Sequence, residues 1–277
     1  MNEREYAFLK TGGYSGQLNY MWWNYLEAQG YSGTLTDKFY AWALAGYPLA
    51  GFSFADLPAA KMQWLDETAA DLALDVPPDV TELINRIAGE PNAIQLATVN
   101  MLHDGGAYVE AGAAQYATMD LGGAGSSDYL ISCVVNATAT TKVRRIVELT
   151  DAAKTYLIQA SVYSLVSADG FRFASSVGIN HLITGLTVGN YYAITYGHIG
   201  GEFYYGVKGE NATGLIANVT GTALPTPYHF LVGNVLTVGT AVNIASAQLA
   251  LGGIEVSDYQ NVLDESYDWG VAQGLIT

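Results

Sequence analysis

Acidic side chains and histidines are the residues of this chain that could carry out catalysis. A glycosidase needs two carboxyl groups that converge on the scissile bond. The nearest such arrangement is Glu255-Val256-Ser257-Asp258, but Asp258 is better explained as a charge that stabilises the N-terminus of a helix. We therefore predict that this segment is not a catalytic carboxylate pair.

The histidines form no recognisable catalytic or metal-binding motif. His103, His181, His198 and His229 are scattered without metal-ligand spacing, and His103-Asp104 lies in a glycine-rich turn. The sequence has no Gly-x-Ser-x-Gly motif, phosphate-binding loop or dinucleotide fingerprint. A Ser-His-Asp triad is assembled in space, so the sequence leaves that alternative open. We expect a protein that is not an enzyme and has no catalytic or metal-ligating residues.

Charge excludes two classes of partner. The 277 residues carry a formal net charge of −15, and no Lys or Arg follows Lys208. Nucleic acids and anionic membranes bind clustered basic side chains, so we expect neither as a partner. The N-terminus is charged where a signal peptide needs an apolar core, and no apolar run approaches the roughly 18 residues of a membrane span. We expect synthesis in the cytosol and a soluble product.

From about residue 95 onward, short segments rich in β-branched and aromatic residues alternate with glycine turns. The single cysteine, Cys133, lies in such a run and is expected to be an inert core residue. Asp169-Gly170 and Gly200-Gly201 are expected to form hairpin turns. The predicted strands are 128–136, 143–149, 155–164, 170–175, 191–196, 202–207, 214–219, 228–232 and 248–256. Together they predict an antiparallel sandwich or barrel over residues 95–277.

The N-terminal region repeats one phrase. Gly13-Tyr14-Ser15-Gly16 recurs as Gly30-Tyr31-Ser32-Gly33, and each copy opens a segment crowded with aromatic residues. With Asn19 and Thr36 as N-caps and Gly30 and Gly46 as left-handed ends, the pattern predicts two helices of about three turns each. Residues 1–50 are therefore expected to form a small helical module.

The apolar side chains of these helices cover nearly the whole circumference instead of one stripe. One interpretation is that they pack on the downstream domain. The favoured one is that one face docks onto another protein, because large exposed apolar patches mark interaction sites. The residues predicted to dock are Tyr20, Trp22, Trp23, Tyr25, Phe39, Tyr40 and Trp42.

Between the module and the sandwich, residues 51–94 are interpreted as a proline-rich connector with two short helices, 59–74 and 79–87. At the other end of the chain, Ser257 is expected to cap a helix over residues 257–273 that Gly274 ends.

These features together resemble a known family. The repeat Gly-Tyr-Ser-Gly-x-Leu, with its aromatic continuation, resembles N-terminal repeats of many bacteriophage structural proteins, in which a laminin G-like sandwich often follows. Asn92–Ala97 resembles the first strand of that sandwich, Tyr129–Asn136 its core strand, Asn190–Tyr196 a back-sheet strand and Gly252–Val256 its closing strand. The resemblance covers about residues 12–276. It implies a mainly β fold: an antiparallel jelly-roll (concanavalin A-like) sandwich with a small N-terminal α-helical module and a C-terminal helix.

The same resemblance implies a binding site, because sandwiches of this family often bind Ca²⁺ and sugars in their loops. The loop residues that match are Asp104, Asp128, Asn190, Glu202, Tyr204 and Asn211. No Asp-x-Asp cluster supports a dedicated calcium site, and all five Trp lie outside the predicted strands, which weakens the case for a lectin. We expect no cofactor, with Ca²⁺ as the alternative.

The leading hypothesis is a non-enzymatic bacteriophage virion protein, made in the host cytoplasm, that decorates the head or forms part of a tail or head fibre. Its N-terminal helices would anchor it to capsid or tail proteins and promote self-association. The alternative is a carbohydrate-binding module that recognises glycans of the host surface. A glycan-degrading enzyme is disfavoured because paired carboxylates are lacking.

Overall fold

A computed structural model describes residues 9–10, 13–44, 53–75, 79–95, 101–103, 106, 108–123, 126–136, 144–153, 155–165, 168–176, 178, 180–220, 226–234 and 241–277. The chain divides into two compact units, Met1–Gly51 and Phe52–Thr277. The boundary lies beside the one expected at residue 50. The expected connector 51–94 is wrong, because its described residues include four strands, at 60–65, 72–74, 79–83 and 93–95, that belong to the second unit.

The N-terminal unit contains the helices α1 (Leu18–Ala28) and α2 (Leu35–Leu44). Both begin earlier than expected. Gln17 is the N-cap of α1, and Thr34 precedes α2, where its Oγ1 accepts a hydrogen bond from the Asp37 backbone N–H at 3.2 Å. The predicted caps Asn19 and Thr36 are therefore wrong and lie inside the helices.

The end of α1 follows the prediction. Gly30 has a φ of +86°, its N–H donates to the Glu27 carbonyl, and the Tyr31 N–H donates to the Leu26 carbonyl. This pair of bonds is a Schellman motif, in which the left-handed residue is usually glycine. The equivalent prediction for Gly46 lies outside the described residues.

The second unit is built from antiparallel strands. Their bounds are β1 (Ala60–Leu65), β2 (Leu72–Leu74), β3 (Asp79–Leu83), β4 (Ala93–Gln95), β5 (Met101–Leu102), β6 (Val109–Ala111), β7 (Gln115–Asp120), β8 (Tyr129–Asn136), β9 (Arg144–Thr150), β10 (Tyr156–Leu165), β11 (Ala168–Ser175), β12 (Asn180–Thr184), β13 (Tyr191–Ile199), β14 (Glu202–Gly209), β15 (Ala212–Thr213), β16 (Ala217–Thr220), β17 (His229–Asn234) and β18 (Val242–Leu251).

Their pairing gives two layers. The front sheet runs β12-β11-β10-β9-β17-β7-β4-β3, with β2 and β5 pairing β3. In the back sheet, β18 pairs β1, β6 and β8, and β13 and β14 follow β8, with β15 and β16 on β14. The predicted mainly β antiparallel sandwich is confirmed.

Apolar side chains from the two inner faces form the core. Phe171 and Phe173 of the front sheet pack with Tyr192 and Tyr196 of the back sheet. The Tyr196 hydroxyl crosses the layer and donates to the Val147 carbonyl at 2.8 Å. This bond satisfies a buried phenol that would otherwise be costly to desolvate.

The helix α3 (Val256–Ala272) covers the outer face of the back sheet, where it packs against β8, β13 and β14. Its buried Tyr259 donates to the Tyr129 carbonyl at 2.5 Å. A Cβ at the neighbouring Gly197 would lie 1.9 Å from that carbonyl oxygen, so only glycine fits there. The helix begins one residue before its predicted start, with Glu255 as N-cap. Because α3 lies on the back sheet, no α-helix among the described residues of the second unit covers the outer face of the front sheet.

Three details of the prediction are wrong. The α-helices expected at 59–74 and 79–87 are absent from these described ranges: the first holds β1, a short 3-10 helix (Ala69–Asp71) and β2, and the second begins with β3. The strand β1 forms because it pairs with β18 and buries Met62 and Trp64. The closing strand expected at 252–256 is a turn with Gly252 at φ +76°, and β18 is the closing strand. Asp169-Gly170 lies inside β11 and is not a hairpin turn.

Candidate functional site

Seven residues of three adjacent strands share the outer face of the front sheet. Their neighbours along each strand, such as Met119, Phe230 and Leu149, point into the core, so the alternating residues point outward. We call these seven the outer patch: Tyr116, Thr118, Asp120, Glu148, Thr150, His229 and Leu231.

The register of the sheet fixes the arrangement of the outer patch. Leu231 on β17 lies opposite Thr118 on one side and Glu148 on the other. Two residues before Leu231 on β17, His229 lies opposite Asp120 on one side and Thr150 on the other. Directly opposed residues in neighbouring strands are within contact distance, so the strands bring together residues that are far apart in sequence.

The floor of the outer patch is buried and polar. Thr118 is 6% exposed, Glu148 2% and Thr150 0%. The Thr118 and Thr150 hydroxyls and His229 Nδ1 are buried atoms without a hydrogen-bond partner among the described residues. Buried polar atoms are normally paired, because leaving one unpaired costs about 1–3 kcal/mol. At the rim, Tyr116 and His229 are half-buried and Asp120 is exposed.

Glu148 is the charged centre of the outer patch. Arg145 Nη1 donates to its Oε2 at 2.8 Å. A bulge at residue 146 turns Arg145 to the same face, because Ala160 opposes Val147 whereas the next residue, Ser161, opposes Arg145. Burial raises the pKa of Glu148 to about 7, against the opposing effect of the guanidinium. The carboxyl can therefore act as donor or acceptor near neutral pH.

The loop residues predicted from sequence do not form one site. Asn190 donates to Glu210, and Asn211 Nδ2 donates to Thr187 Oγ1 at 3.2 Å. This group lies where β13 begins and β14 ends. Asp128 lies at the opposite end, so the two groups are separated by the length of a nine-residue strand, about 30 Å.

At that opposite end, Glu202 accepts hydrogen bonds from the Tyr204 hydroxyl at 2.7 Å and from Asn218 Nδ2 at 2.8 Å. Asp128 Oδ1 accepts from the Gly200 N–H at 3.3 Å and lies 3.9 Å from His198 Nδ1. These contacts stabilise the β13–β14 turn. The structure thus brings Glu202 and Tyr204 together, whereas Asp104 lies outside the described residues.

The residues expected to dock a partner also separate into two groups. Trp22 and Tyr25 are buried in the core of the N-terminal unit, Phe39 packs against Trp22, and Trp23 lies 4.0 Å beneath the Lys38 ammonium. Tyr20 and Tyr40 are 61% and 67% exposed. The side chain of Trp42 lies outside the described part. The docking role itself stays a prediction.

A second buried charged group lies where β1 ends. Asp66 Oδ2 is 3.3 Å from His103 Nε2, and burial raises the pKa of Asp66 to about 6. Nearby, Arg86 bonds Asp71 at 2.9 Å and Glu67 at 2.8 Å. The bonds of Arg86 link the loops around β1, whereas Asp66 Oδ2 and His103 Nε2 are buried and have no hydrogen-bond partner among the described residues. His103 was expected in a turn, and its contact with Asp66 was not predicted.

The described residues show neither a cluster of metal ligands nor a membrane-spanning helix. In that part of the chain, no three His, Cys, Asp or Glu side chains are grouped so that they could hold a metal ion. No described helix is long and apolar enough to cross a membrane. The Ca²⁺ alternative stays a prediction.

The outer patch was not predicted. Residues 143–149 were expected to form a strand, and Glu148 could have been identified as a polar residue within that strand. Its neighbours on β7 and β17 could not, because only the sheet register brings them together.

Comparison with known proteins shows the fold. No family model and no curated protein matches the chain. A Trypanosoma rangeli sialidase in complex with sialic acid is similar at a TM-score of 0.53 and 11% identity, over 76% of this chain and 34% of that one. A mutant of that sialidase with trans-sialidase activity is similar at a TM-score of 0.55 and 11% identity, over 78% and 34%. Botulinum neurotoxin type C, which depends on two ganglioside molecules to enter cells, is similar at a TM-score of 0.50 and 8% identity, over 77% and 53%.

These similarities correct one expectation. The prediction that the chain is not an enzyme is overturned, because several of the similar structures are sialidases, which are enzymes. The chain spans about a third of the sialidase chains, and at this identity the likeness describes the fold and assigns no reaction.

Proposed function

We propose that the second unit binds carbohydrate through the outer patch. The observation that carries this proposal is the set of three unpartnered buried polar atoms, on Thr118, Thr150 and His229, around Glu148 on one sheet face. These atoms are closed to solvent in this structure, so a ligand would reach them only after local opening of the surface. A ligand with several hydroxyl groups would then give each of these atoms a partner, since every hydroxyl both donates and accepts.

The apolar members of the outer patch suit the same ligand. Leu231 lies between Thr118 and Glu148, and the half-buried Tyr116 lies at the rim. Sugars present a face of C–H groups between their hydroxyls, and an aromatic ring with an aliphatic side chain gives that face an apolar contact. The fold supports the proposal at a general level, because similar sandwiches occur in proteins that engage sialic acid or gangliosides.

Affinity measurements on the full chain test the proposal. Thr118→Val and Thr150→Val keep the shape of the side chain but remove the hydroxyl. Each is expected to weaken glycan binding about tenfold and to leave the free energy of unfolding unchanged or raised, because an unpaired buried hydroxyl no longer needs a partner. Thr220→Val, at an exposed position of the back sheet, is the matched control and should change neither.

Two outcomes would contradict the proposal. One is that the unaltered chain binds no member of a broad glycan array. The other is that the two valine variants bind as tightly as the control, which would show that these hydroxyls face no ligand.

The N-terminal unit supports a second proposal, anchoring of the chain in a bacteriophage virion. Its exposed Tyr20 and Tyr40 leave aromatic rings in solvent on a unit that already has its own core. Exposed aromatic side chains are enriched at protein interfaces. Capsid or tail proteins and further copies of the chain would be the partners, in agreement with the resemblance of the Gly-Tyr-Ser-Gly repeats.

Incorporation into particles tests this second proposal. Changing Tyr20 and Tyr40 together to Ala should abolish incorporation while the N-terminal unit stays folded. Tyr228→Ala, which removes an exposed tyrosine of the second unit, should not. Equal incorporation of both variants would refute the anchoring role.

A further inference from the structure

We infer that the ligand of the outer patch is an uncharged, hydroxyl-rich sugar and not a sialic acid or another anionic glycan. This inference rests on the proposed carbohydrate-binding function and makes it more specific. It follows from the charges on the outer face of the front sheet and from the bonds those charges already make.

Both carboxylates of the outer patch would face an anionic ligand. Glu148 is at the centre of the patch, beside Leu231, and Asp120 is in the next row across the sheet. A ligand carboxylate bound among these residues would lie near two carboxylates, of which Glu148 is paired with Arg145. In contrast, a carboxylate accepts well from the hydroxyl groups of a neutral sugar.

The arginines on the same face are committed to acceptors of the protein. Arg145 donates to Glu148 at 2.8 Å, so its charge is balanced inside the patch. Arg172 is aligned with Arg145 across β10, since both oppose Ser161, and its Nε donates to Asn180 Oδ1 at 2.7 Å. An anionic ligand would have to compete for a guanidinium with one of these acceptors.

The charge of the whole chain also disfavours an anionic ligand. The formal net charge is −15, which lowers the local concentration of anions and slows their association. At the patch itself, Arg145 and Glu148 balance each other, so the repulsion comes from the exposed Asp120. A like charge about 4 Å away, in a medium of effective dielectric constant between about 20 and 80, would weaken binding about 5- to 1000-fold. A neutral sugar meets neither penalty.

The remaining polar groups of the outer patch fit a neutral ligand. The Thr118 and Thr150 hydroxyls can donate or accept, and the imidazole nitrogen of His229 can do either according to its tautomer. All three atoms are buried and without a partner among the described residues. A sugar ring with hydroxyls on adjacent carbons matches such a mixed set, because it needs no fixed charge in return.

The test compares glycans that differ only by a sialic acid. Full-length protein is applied at about pH 8, where Glu148 is ionised, to an array of neutral oligosaccharides and the sialylated form of each. For every neutral glycan that binds, the affinities of the neutral and the sialylated form are then measured by calorimetry. We expect at least one neutral glycan to bind, with its sialylated form weaker by about tenfold or more.

The variant Glu148→Gln sharpens the comparison. It removes the negative charge and keeps an acceptor for Arg145, so the ratio of neutral to sialylated affinity should fall by about tenfold or more. Glu110→Gln, at an exposed position on β6, should leave the ratio unchanged. Circular dichroism would establish that both variants are folded.

The outcomes separate failure of the neutral-ligand inference from failure of the carbohydrate-binding function. Equal or tighter binding of the sialylated forms would overturn the inference and keep the carbohydrate-binding function. Binding of no glycan, neutral or sialylated, would overturn the proposed function itself. An unchanged ratio in a folded Glu148→Gln variant would show that Glu148 does not face the ligand.

Discussion

Replacing Glu148 by Gln should change how the stability of the sandwich depends on pH. Glu148 is 2% exposed, and burial raises its pKa from 4.5 to about 7. A carboxyl with a raised pKa holds its proton more tightly in the folded chain than in the unfolded one. Its contribution to the free energy of unfolding is therefore complete below about pH 4.5 and is lost as the pH rises to about 7.

The size of this effect follows from the same values. At about 1.4 kcal/mol per pKa unit, the shift corresponds to about 3 kcal/mol. Glutamine does not titrate, so the free energy of unfolding of the unaltered chain should fall by about 3 kcal/mol relative to Glu148→Gln between about pH 4.5 and pH 7.5. Above that range the difference should stay constant.

Urea denaturation followed by circular dichroism, at several pH values from about 4.5 to 8.5, measures this difference. Comparison with the variant isolates Glu148 from the other buried acids that titrate in the same range, such as Asp66 and Glu265. Glu110→Gln, which removes an exposed carboxyl, is the control. The expected result would be refuted if the free energy of unfolding of the unaltered chain, minus that of Glu148→Gln, stayed constant or rose with pH. Burial of Glu148 would then not disfavour its ionised form.

Three further predictions concern the fold. Gly197→Ala should prevent folding of the second unit, because its Cβ would lie 1.9 Å from the Tyr129 carbonyl oxygen; a cooperative thermal transition at an unchanged temperature would contradict this. Tyr259→Phe removes the buried bond to the same carbonyl and should lower the free energy of unfolding by about 1–3 kcal/mol in urea denaturation. Trp22→Ala should destabilise the N-terminal unit by about 3–5 kcal/mol, because its ring is buried in that unit's core, and hydrogen exchange of the α1 amides should accelerate accordingly.

The sequence was most informative where one strand is buried on both faces. All eight residues of β8 are buried, because the core lies on one side and α3 on the other. A continuous apolar run predicts such a strand directly. The Schellman end of α1 was equally predictable, since Gly30 adopts a conformation that few other residues tolerate.

Prediction failed where pairing overrides local preference. Residues 60–65 contain Ala, Lys, Met, Gln and Leu, all good helix formers. They form a strand because β18 offers them hydrogen-bond partners along one edge and the fold offers Trp64 a core position. No local pattern could show this, since the partner strand lies more than 180 residues further along the chain.

The candidate site was unpredictable for the same reason and for one more. The outer patch needs the register of β7, β17 and β9, whose members come from three distant parts of the sequence. It also needs the bulge at residue 146, which turns Arg145 toward Glu148. A regular strand would place residues three apart on opposite faces, so the sequence suggested no contact between them.

The position of β18 between β1 and β8 has a consequence for the order in which the protein can fold. Met62 opposes Leu249, so the back sheet gains this part of its pairing only after β18 has been synthesised. At about 5–20 residues per second, β1 waits on the order of 10–40 s for its partner during translation. Throughout that interval, the apolar side chains and the backbone N–H and C=O groups of β1 lack their native contacts with β18. We therefore expect nascent chains shorter than about 250 residues to be bound by chaperones or to aggregate, and native structure to form in the sandwich as a late, largely single event.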